Sequence, residues 1–232
     1  MQNTSHAVMA QRAEAANSLD DFPTPPWATR ALVEHVIGNV EVLKQEVCLE
    51  PACGVGHMSK VLKEYFREVK SQDIHPYGYG ELRDYLAHPF ETSACDWVIT
   101  NPPFRLAEEF VLRSLQVARR GVAILARTVF LESVGRYENL FRPTPPSKIG
   151  QFTERVPMVK GRLDKKASTA TGYAWLVWEK DAAVRSQLVW VPPCRKALER
   201  DGDYDLPSNP ESRSTGRPVE ASAKFGTDLF GT

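Results

Sequence analysis

A short segment with the order strand, glycine turn, helix, strand constrains the fold of this chain most strongly. The apolar run EVCLEP (46–51) predicts a buried strand, ACGVG (52–56) a tight turn, and HMSKVLKEYF (57–66) a helix. A second predicted strand, EVKSQDI (68–74), carries Asp73 near its end. A strand, a crossover helix and a second strand form a βαβ unit, in which the two strands lie parallel in one sheet. The sequence therefore predicts an α/β fold built on a parallel sheet.

Further strands and helices alternate along the rest of the chain. CDWVIT (95–100), GVAILAR (121–127) and YAWLVWEK (173–180) predict buried strands, and KIGQFTERV (148–156) is a weaker strand candidate. RLAEEFVLRSLQVA (105–118) has apolar residues at helical spacing and predicts an amphipathic helix. Such alternation favours a largely parallel sheet with helices on both faces. The chain is 42% hydrophobic, which is enough for a sizeable core.

The composition of the two ends of the chain sets the expected domain limits. Residues 1–20 are interpreted as a flexible N-terminal arm, 21–195 as the folded domain, and 196–232 as a disordered tail rich in Ser, Pro, Gly, Asp and Arg. No run of 18 apolar residues occurs, so no membrane span is expected. The N-terminus lacks the apolar centre of a secretory signal, and the four cysteines have no metal-ligand spacing. We therefore expect a cytoplasmic protein with free thiols and no metal.

The turn after the first strand has the residues of a ligand-binding loop. Small residues let a ligand approach the backbone closely, and an acid that ends the second strand can hold ribose hydroxyls. The full GxGxxG pattern is absent, because Gly54 and Gly56 are followed by Met58 and Ser59, which argues against a nicotinamide cofactor. An ordinary turn between a strand and a helix would contain similar residues. The candidates are Glu50, Pro51, Ala52, Cys53, Gly54, Gly56 and Asp73.

The tetrapeptide Asn101-Pro102-Pro103-Phe104, directly after the strand CDWVIT, is the most specific motif of the chain. Two consecutive prolines stiffen the backbone where it leaves the sheet. The Asn101 side-chain oxygen and the Pro102 carbonyl can then accept the two hydrogens of an amino group, which points its nitrogen lone pair toward an electrophile. Phe104 can stack on a planar base. The alternative interpretation is a proline-terminated strand followed by a buried phenylalanine.

EPACGVG and NPPF together resemble the class I S-adenosylmethionine-dependent amino-methyltransferases with an (N/D/S)PP(Y/F) signature. The resemblance is greatest to small DNA adenine-N6 methyltransferases of phages and prophages, and it covers roughly residues 20–180. It implies a Rossmann-like, doubly wound, mostly parallel seven-stranded sheet and S-adenosylmethionine as the cofactor. The implied catalytic residues are Asn101, Pro102, Pro103 and Phe104. The implied cofactor-binding residues are Thr24, Pro25, Glu50, Pro51, Ala52, Cys53, Gly54, Gly56, Asp73, Ile74, Asp84, Tyr85 and Asn101.

One basic loop is the candidate surface for the substrate. The chain has 29 basic and 29 acidic residues, so binding of nucleic acid requires a local basic patch. Residues 155–166 contain five basic residues and a single acid, Asp164. A solvated loop is the alternative interpretation. The expected substrate-binding residues are Phe104, Arg105, Lys160, Arg162, Lys165 and Lys166.

The resemblance implies methylation of adenine N6 in DNA, with the base flipped out of the helix and the methyl group transferred directly. Only 44 residues, 57–100, separate Gly56 from Asn101, too few for a separate target-recognition domain. Either the recognition site is short and read by loops, or the substrate differs. RNA adenine-N6 and DNA cytosine-N4 methylation are therefore alternatives, followed by methylation of protein glutamine and by an inert cofactor-binding module. The target sequence and the oligomeric state stay open.

Overall fold

The computed structural model describes residues 20–87, 89, 95–182 and 185–205. The expected N-terminal arm, apart from Asp20, and residues 206–232 of the expected tail lie outside the described residues. The expected division of the chain stays a prediction, although described residues continue past 195 to Asp205.

One eight-stranded sheet forms the centre of the molecule, in the order β3-β2-β1-β4-β5-β7-β6-β8. Strands β1 to β5 run parallel, β7 runs antiparallel to its neighbours β5 and β6, and β8 is parallel to β6. The strands are β1 Val47–Glu50, β2 Glu68–Asp73, β3 Glu81–Leu82, β4 Cys95–Thr100, β5 Ala118–Arg127, β6 Lys148–Phe152, β7 Tyr173–Glu179 and β8 Gln187–Val191.

Helices cover both faces of this sheet. The α-helices are α1 Pro26–Ala31, α2 Val40–Leu43, α3 His57–Leu62, α4 Ala107–Val117, α5 Val134–Arg136 and α6 Arg195–Leu198. Two of them continue as π-helical turns, α1 through Leu32–Ile37 and α5 through Tyr137–Phe141. Short 3-10 turns at Phe104–Leu106 and Thr128–Leu131 follow β4 and β5.

The alternation of side chains along the strands builds two separate apolar cores. Cys48 packs with α1 and α3 on one face, whereas the next residue, Leu49, packs with α4 on the other. Ile99 and Val98 of β4 divide between the two faces in the same way. This division follows from the two-residue period of a strand and explains why the central strands are apolar throughout.

The doubly wound α/β fold expected from the sequence is confirmed, with one strand more than expected. The additional strand, β8, lies at the edge of the sheet, and its side chains are largely exposed, including Leu188 and Trp190. The segment QLVWV has four consecutive apolar residues, a pattern compatible with a strand, but Val191 alone of its five residues is buried, so its place at the sheet edge follows from the tertiary structure. Within the described residues, no helix is long and apolar enough to span a bilayer.

Candidate active site

A cavity of about 420 Å³ opens at the carboxyl ends of β1, β2 and β4. The order of strands reverses between β1 and β4, because β2 and β3 continue to one side and β5 to the other. The chain connections leave a crevice at such a switch point, which is where doubly wound folds bind their ligands. The volume falls in the range of about 300–1,000 Å³ typical of small-molecule sites.

Most of the residues expected at the cofactor site line this cavity. They are Thr24, Glu50, Pro51, Ala52, Cys53, Gly54, Asp73, Ile74, Asp84, Tyr85 and Asn101, joined by Pro103 of the NPPF motif. The expected residues outside the lining are Pro25, Gly56, Pro102, Phe104, Arg105 and the four basic residues of the loop 155–166. The structure therefore brings the two motifs to one cavity and leaves the expected substrate residues outside it.

The glycine loop is held in place by the acid at the end of β2. The Gly54 amide donates a hydrogen bond to Asp73 Oδ2 at 2.9 Å, and the His75 amide donates to Asp73 Oδ1 at 2.9 Å. Gly54 has a φ of +52°, which is the left-handed region that favours glycine. Burial raises the pKa of Asp73, although these two amide donors oppose the rise. Asp73 thus fixes the loop on one side of the cavity.

Glu50, at the end of β1, is a buried acid in the cavity wall. Burial raises the pKa of Glu50 to about 8, and the hydroxyl of Ser59, which donates a hydrogen bond to the carboxylate, opposes this shift. Five carboxyl groups line the cavity, and none of the described lining residues is a lysine or an arginine; the five acids are Asp20, Asp21, Glu50, Asp73 and Asp84. Burial keeps Glu50 largely protonated near pH 7, so it is the aspartates that make the cavity suit a ligand with positive charge.

The far end of the cavity combines one acid with apolar walls. Asp84 Oδ1 accepts hydrogen bonds from the amides of Leu86 and Ala87 at 3.0 and 3.1 Å, which fixes the turn after β3. The Tyr85 ring lies 5.1 Å from the Phe110 ring, measured between centroids, and its hydroxyl shares a hydrogen bond of 2.9 Å with Ser114. Leu86 and Phe110 also line the cavity, so this end has apolar walls beside the Asp84 carboxylate.

Asn101 connects the catalytic motif to a segment that we name the strap, residues 20–24. Asn101 Nδ2 donates to the Phe22 carbonyl at 2.8 Å and to Thr24 Oγ1 at 3.1 Å. It also lies 3.8 Å from the sulfur of Met158. These contacts fix the orientation of the amide, and they leave Asn101 Oδ1 buried without a hydrogen-bond partner. The side chain therefore presents an unused acceptor beside the cavity.

Phe104 lies in a cluster on the outer side of the motif. Its ring centroid is 5.4 Å from that of Phe22 and 6.3 Å from that of Tyr173, and the Arg127 guanidinium carbon lies 3.9 Å over the ring. The Phe104 amide donates to Asp20 Oδ2 at 2.6 Å. The ring face expected to stack on a base is thus covered by an arginine in this conformation.

The basic loop 155–166 lies beside the strap. The Gly161 amide donates to the Asp21 carbonyl at 2.8 Å, which joins the loop to the edge of the cavity. Two of its cations already face acids: Arg162 lies 3.3 Å from Asp164, and Lys165 lies 3.8 Å from Glu199. Lys166 and Arg105 are exposed. The loop therefore borders the site, with part of its charge offset by neighbouring acids.

Several residues of the site do not stand out in the sequence. The strap adds four cavity residues that precede Thr24, the expected one: Asp20, Asp21, Phe22 and Pro23. Three more belong to helices and helical turns: His57, Leu106 and Phe110. The pattern PTPP predicts an extended segment, but it does not indicate which strand end this segment contacts. His57 is buried, and burial lowers its pKa to about 4, so it is neutral near pH 7. Among the described residues, no group of three His, Cys, Asp or Glu side chains could hold a metal ion.

Comparisons with solved structures agree with this geometry. A Listeria monocytogenes protein assigned as a class I S-adenosylmethionine-dependent methyltransferase matches with a TM-score of 0.55 and 12% identity, over 75% of this chain and 67% of that protein. The modification subunit of an assigned type I restriction enzyme from Vibrio vulnificus matches with a TM-score of 0.54 and 15% identity, over 82% of this chain and 52% of that protein. A protein assigned as an RNA methyltransferase from Pyrococcus horikoshii gives 0.51 and 14%, over 68% and 87%.

The fold is therefore that of the class I S-adenosylmethionine-dependent methyltransferases. The expected cofactor, S-adenosylmethionine, is the one that the description of the Listeria protein names. The chain spans about half the length of the Vibrio protein, at 52%. No protein-family model matches the chain, and no curated protein matches it by sequence.

Proposed function

We propose that the protein is an S-adenosylmethionine-dependent methyltransferase that methylates an exocyclic amino group, namely N6 of adenine in DNA. The observation that carries this proposal is the Asn101 amide, whose Oδ1 is buried without a partner beside an acidic cavity. A buried acceptor with no donor is costly, and an amino group of the substrate would satisfy it.

The residues of the cavity fit the proposed cofactor. When bound, S-adenosylmethionine supplies a methyl group on a positively charged sulfur; its amino group is also positive, and its carboxylate is negative. The aspartates of the cavity complement the two positive groups. Asp73, at the end of β2, is positioned for a ribose, as acids are in other doubly wound folds. Asp84, with the apolar wall of Leu86 and Phe110, would hold the planar base of the cofactor.

The proposed role of the NPPF motif is to hold the target nitrogen in place. Asn101 Oδ1 accepts one hydrogen of the amino group, and the carbonyl of Pro102 accepts the other, so the nitrogen lone pair turns toward the cavity. The strap prevents the Asn101 amide from rotating, because Nδ2 is held by Phe22 and Thr24. Holding the reactants in this geometry supplies much of the rate enhancement, and no covalent enzyme intermediate is required.

Two observations support a nucleic acid as the substrate. The basic loop 155–166 adjoins the strap through Gly161 and Asp21, so phosphates could bind within a short distance of the motif. The similar Vibrio protein is by its description a modification subunit of a restriction enzyme. A base within a duplex cannot reach the cavity, so the proposed reaction requires the target base to be flipped out.

RNA is the second candidate substrate. The 44 residues between Gly56 and Asn101 hold α3, β2, β3 and β4, so much of the segment is occupied by the fold itself. RNA can be recognised by its shape, without a dedicated domain that reads a duplex sequence. The similar Pyrococcus protein is described as an RNA methyltransferase.

The decisive experiment is transfer of tritium from labelled S-adenosylmethionine to DNA and to RNA, followed by digestion to nucleosides. Label in N6-methyladenine from DNA is the expected result. Label in cytosine, or in RNA alone, would keep the chemistry and change the substrate. Label in protein glutamine, or no label in any substrate despite cofactor binding, would refute the proposal.

Replacement of Asn101 tests the proposed mechanism. We expect Asn101→Ala to lower kcat by about 100-fold or more, since loss of one positioned hydrogen-bonding group at a reacting centre has effects of that size. Binding of S-adenosylhomocysteine, measured by calorimetry, should stay within a few-fold of wild type, because the other cavity residues are unchanged. The matched control is Asn139→Ala, an exposed asparagine after α5. Near-normal kcat in Asn101→Ala would show that the motif does not act in this way.

A further inference from the structure

A half-buried arginine that has no counter-ion in the described part of the chain lies directly beside the proposed catalytic motif. Arg127 is the last residue of β5, and its guanidinium carbon lies 3.9 Å over the Phe104 ring and 5.7 Å from the Phe22 ring. Strand β5 is the parallel neighbour of β4, with Ile124 paired to Thr100, so the ends of both strands meet at this edge of the sheet. On its other side, Arg127 pairs with Tyr173 of β7.

Among the described residues, no acid forms an ion pair with Arg127. Other arginines face acids, for example Arg119 with Asp96 at 2.9 Å and Arg136 with Glu108 at 3.9 Å. In the part of the chain that the structure describes, Arg127 forms no such ion pair, and its Nε is buried without a hydrogen-bond partner. Arg127 faces no carboxylate among the described residues and has a buried Nε without a hydrogen-bond partner, so an anion that reaches its N–H groups would stabilise this arrangement.

Asp20 is a candidate for an internal counter-ion, but it already has another partner. Burial raises the pKa of Tyr173 and the charge of Asp20 adds to the rise, while the charge of Arg127 and a hydrogen bond between the Arg127 and Tyr173 side chains oppose it. The Asp20 carboxylate, however, accepts the Phe104 amide hydrogen at 2.6 Å. Arg127 thus stays available for a ligand.

The guanidinium has more donors than these contacts use. An arginine has several N–H donors in the plane of the group, whereas the contacts of Arg127 are with two aromatic rings and with the Tyr173 side chain. A guanidinium that stacks by its face can therefore still form two parallel hydrogen bonds with a phosphate through its edge. Arg127 does not line the cavity, so the anion would belong to the substrate and not to the cofactor. Arg155 adjoins the same strand ends, since its Nη1 lies 3.6 Å from the position of a Cβ on Gly172.

We propose that Arg127 is a substrate-binding residue whose guanidinium, held on the Phe104 ring, binds a backbone phosphate of the nucleic acid next to the flipped target nucleotide. The inference rests on the proposed function, because the substrate is taken to be a nucleic acid. It assigns the anchoring of the target strand to a residue at the catalytic motif, in addition to the basic loop 155–166.

The test is the binding of a fluorescein-labelled, single-stranded DNA oligonucleotide, measured by anisotropy at several salt concentrations. Arg127→Met removes the charge with little change in length, and Arg127→Lys keeps the charge but removes the planar donor pair. Arg119→Met is the matched control, because it lies at the opposite end of the same strand and is half exposed. Binding of S-adenosylhomocysteine and thermal unfolding are measured on every variant.

We expect Arg127→Met to raise the Kd for DNA about tenfold, since a hydrogen bond to a charged group is lost. The slope of log Kd against log salt should fall by about 0.7, the value for one phosphate of a single strand. Arg127→Lys should keep the wild-type slope but bind more weakly than wild type, and Arg119→Met should match wild type in both quantities. If Arg127→Met does not fold, Arg127→Lys alone decides, and a wild-type Kd in that variant would overturn the inference.

Failure of the inference can be distinguished from failure of the proposed function. If the wild-type protein methylates nucleic acid and Arg127→Met retains its Kd and salt slope, only the role of Arg127 is refuted. If the wild-type protein methylates a protein and binds neither DNA nor RNA, both proposals are refuted. Weaker binding of S-adenosylhomocysteine together with an unchanged salt slope would show that Arg127 only supports the motif, which also overturns the inference.

Discussion

At the scale of the residue, the two glycines of the cofactor loop are required for different reasons. Gly54 has a φ of +52°, and a Cβ built there would have Asp21 Oδ1 as its nearest neighbour, at 3.9 Å. Gly56 has a φ of +87°, and a Cβ there would lie 2.5 Å from the Tyr79 ring. The first position is thus limited by backbone conformation beside the cavity, and the second by backbone conformation and packing together.

Replacement of each glycine should separate these two effects. We expect Gly54→Ala to lower the free energy of unfolding by about 1 kcal/mol, the usual effect of a side chain in the left-handed region. Gly56→Ala should lower it by about 3 kcal/mol, because Tyr79 must also move. Urea denaturation measures both changes, with Gly135→Ala as the control, since that glycine has no neighbour closer than Ser133 Oγ at 3.9 Å. Equal losses for Gly54 and Gly56 would contradict this assignment.

The strap shows how one side chain can serve two parts of the site. Asn101 Nδ2 holds the strap through Phe22 and Thr24, and this leaves its Oδ1 as the acceptor that we propose for the substrate. The chemistry predicted for the motif from its residue types stays a prediction. The identity of the strap contacts was not, because Phe22 and Asn101 are 79 positions apart.

At the scale of the element, the cations of the loop 155–166 are held by contacts with neighbouring acids and backbone groups. Asp164 Oδ1 accepts a hydrogen bond from the Lys166 amide at 2.9 Å, and its Oδ2 lies 3.3 Å from Arg162, so the acid organises the turn. This backbone hydrogen bond is the largest cause that lowers the pKa of Asp164. Lys165 forms an ion pair with Glu199, and Arg195 Nη2 donates a hydrogen bond to the Lys165 carbonyl at 2.6 Å. The loop is therefore shaped by its neighbours before any substrate binds.

Neutralisation of the loop should weaken the binding of nucleic acid. We expect the combined replacement of Lys160, Arg162, Lys165 and Lys166 by glutamine to reduce the salt dependence of DNA binding by about 0.7 for each phosphate contact that is lost. The reduction should be smaller than four contacts would give, because Arg162 and Lys165 already face acids. The control is Lys44→Gln with Lys180→Gln, two exposed cations at the amino ends of the parallel strands, since Lys44 precedes β1 and Lys180 follows Glu179, which pairs with Gly121 of β5. An unchanged salt slope would refute a phosphate-binding role for the loop.

At the scale of the whole molecule, a buried ion-pair network joins residues near the end of the described chain to its first helix. Arg30 of α1 lies 2.7 Å from Asp203 and 2.8 Å from Glu64, and the side chains of Arg30 and Asp203 are only 4% and 7% exposed. Arg30 also donates to the Leu198 carbonyl at 2.8 Å. Residues 198–205 are thereby fastened to α1, the helix that follows the strap.

Loss of the Asp203 carboxylate should destabilise the protein as a whole. We expect Asp203→Ala to lower the free energy of unfolding by about 3 kcal/mol, because it leaves a buried arginine with one partner fewer. Urea denaturation gives the measurement, and Asp201→Ala is the matched control, since Asp201 is exposed. If both variants unfold at the same urea concentration as wild type, the network does not contribute to stability.

The local patterns of the sequence determined the class of fold and the two motifs of the site. Strands, helices and tight turns each produce a pattern among residues that are close together in the sequence. EVCLEP, ACGVG and NPPF could therefore be interpreted without the structure. The tertiary structure alone decided which distant side chains meet. It placed Arg127 on Phe104, Met158 against Asn101 and Asp203 on Arg30, and it added β8 to the sheet edge. These contacts join positions far apart in the chain, and they depend on how strands and loops pack, which no local pattern records.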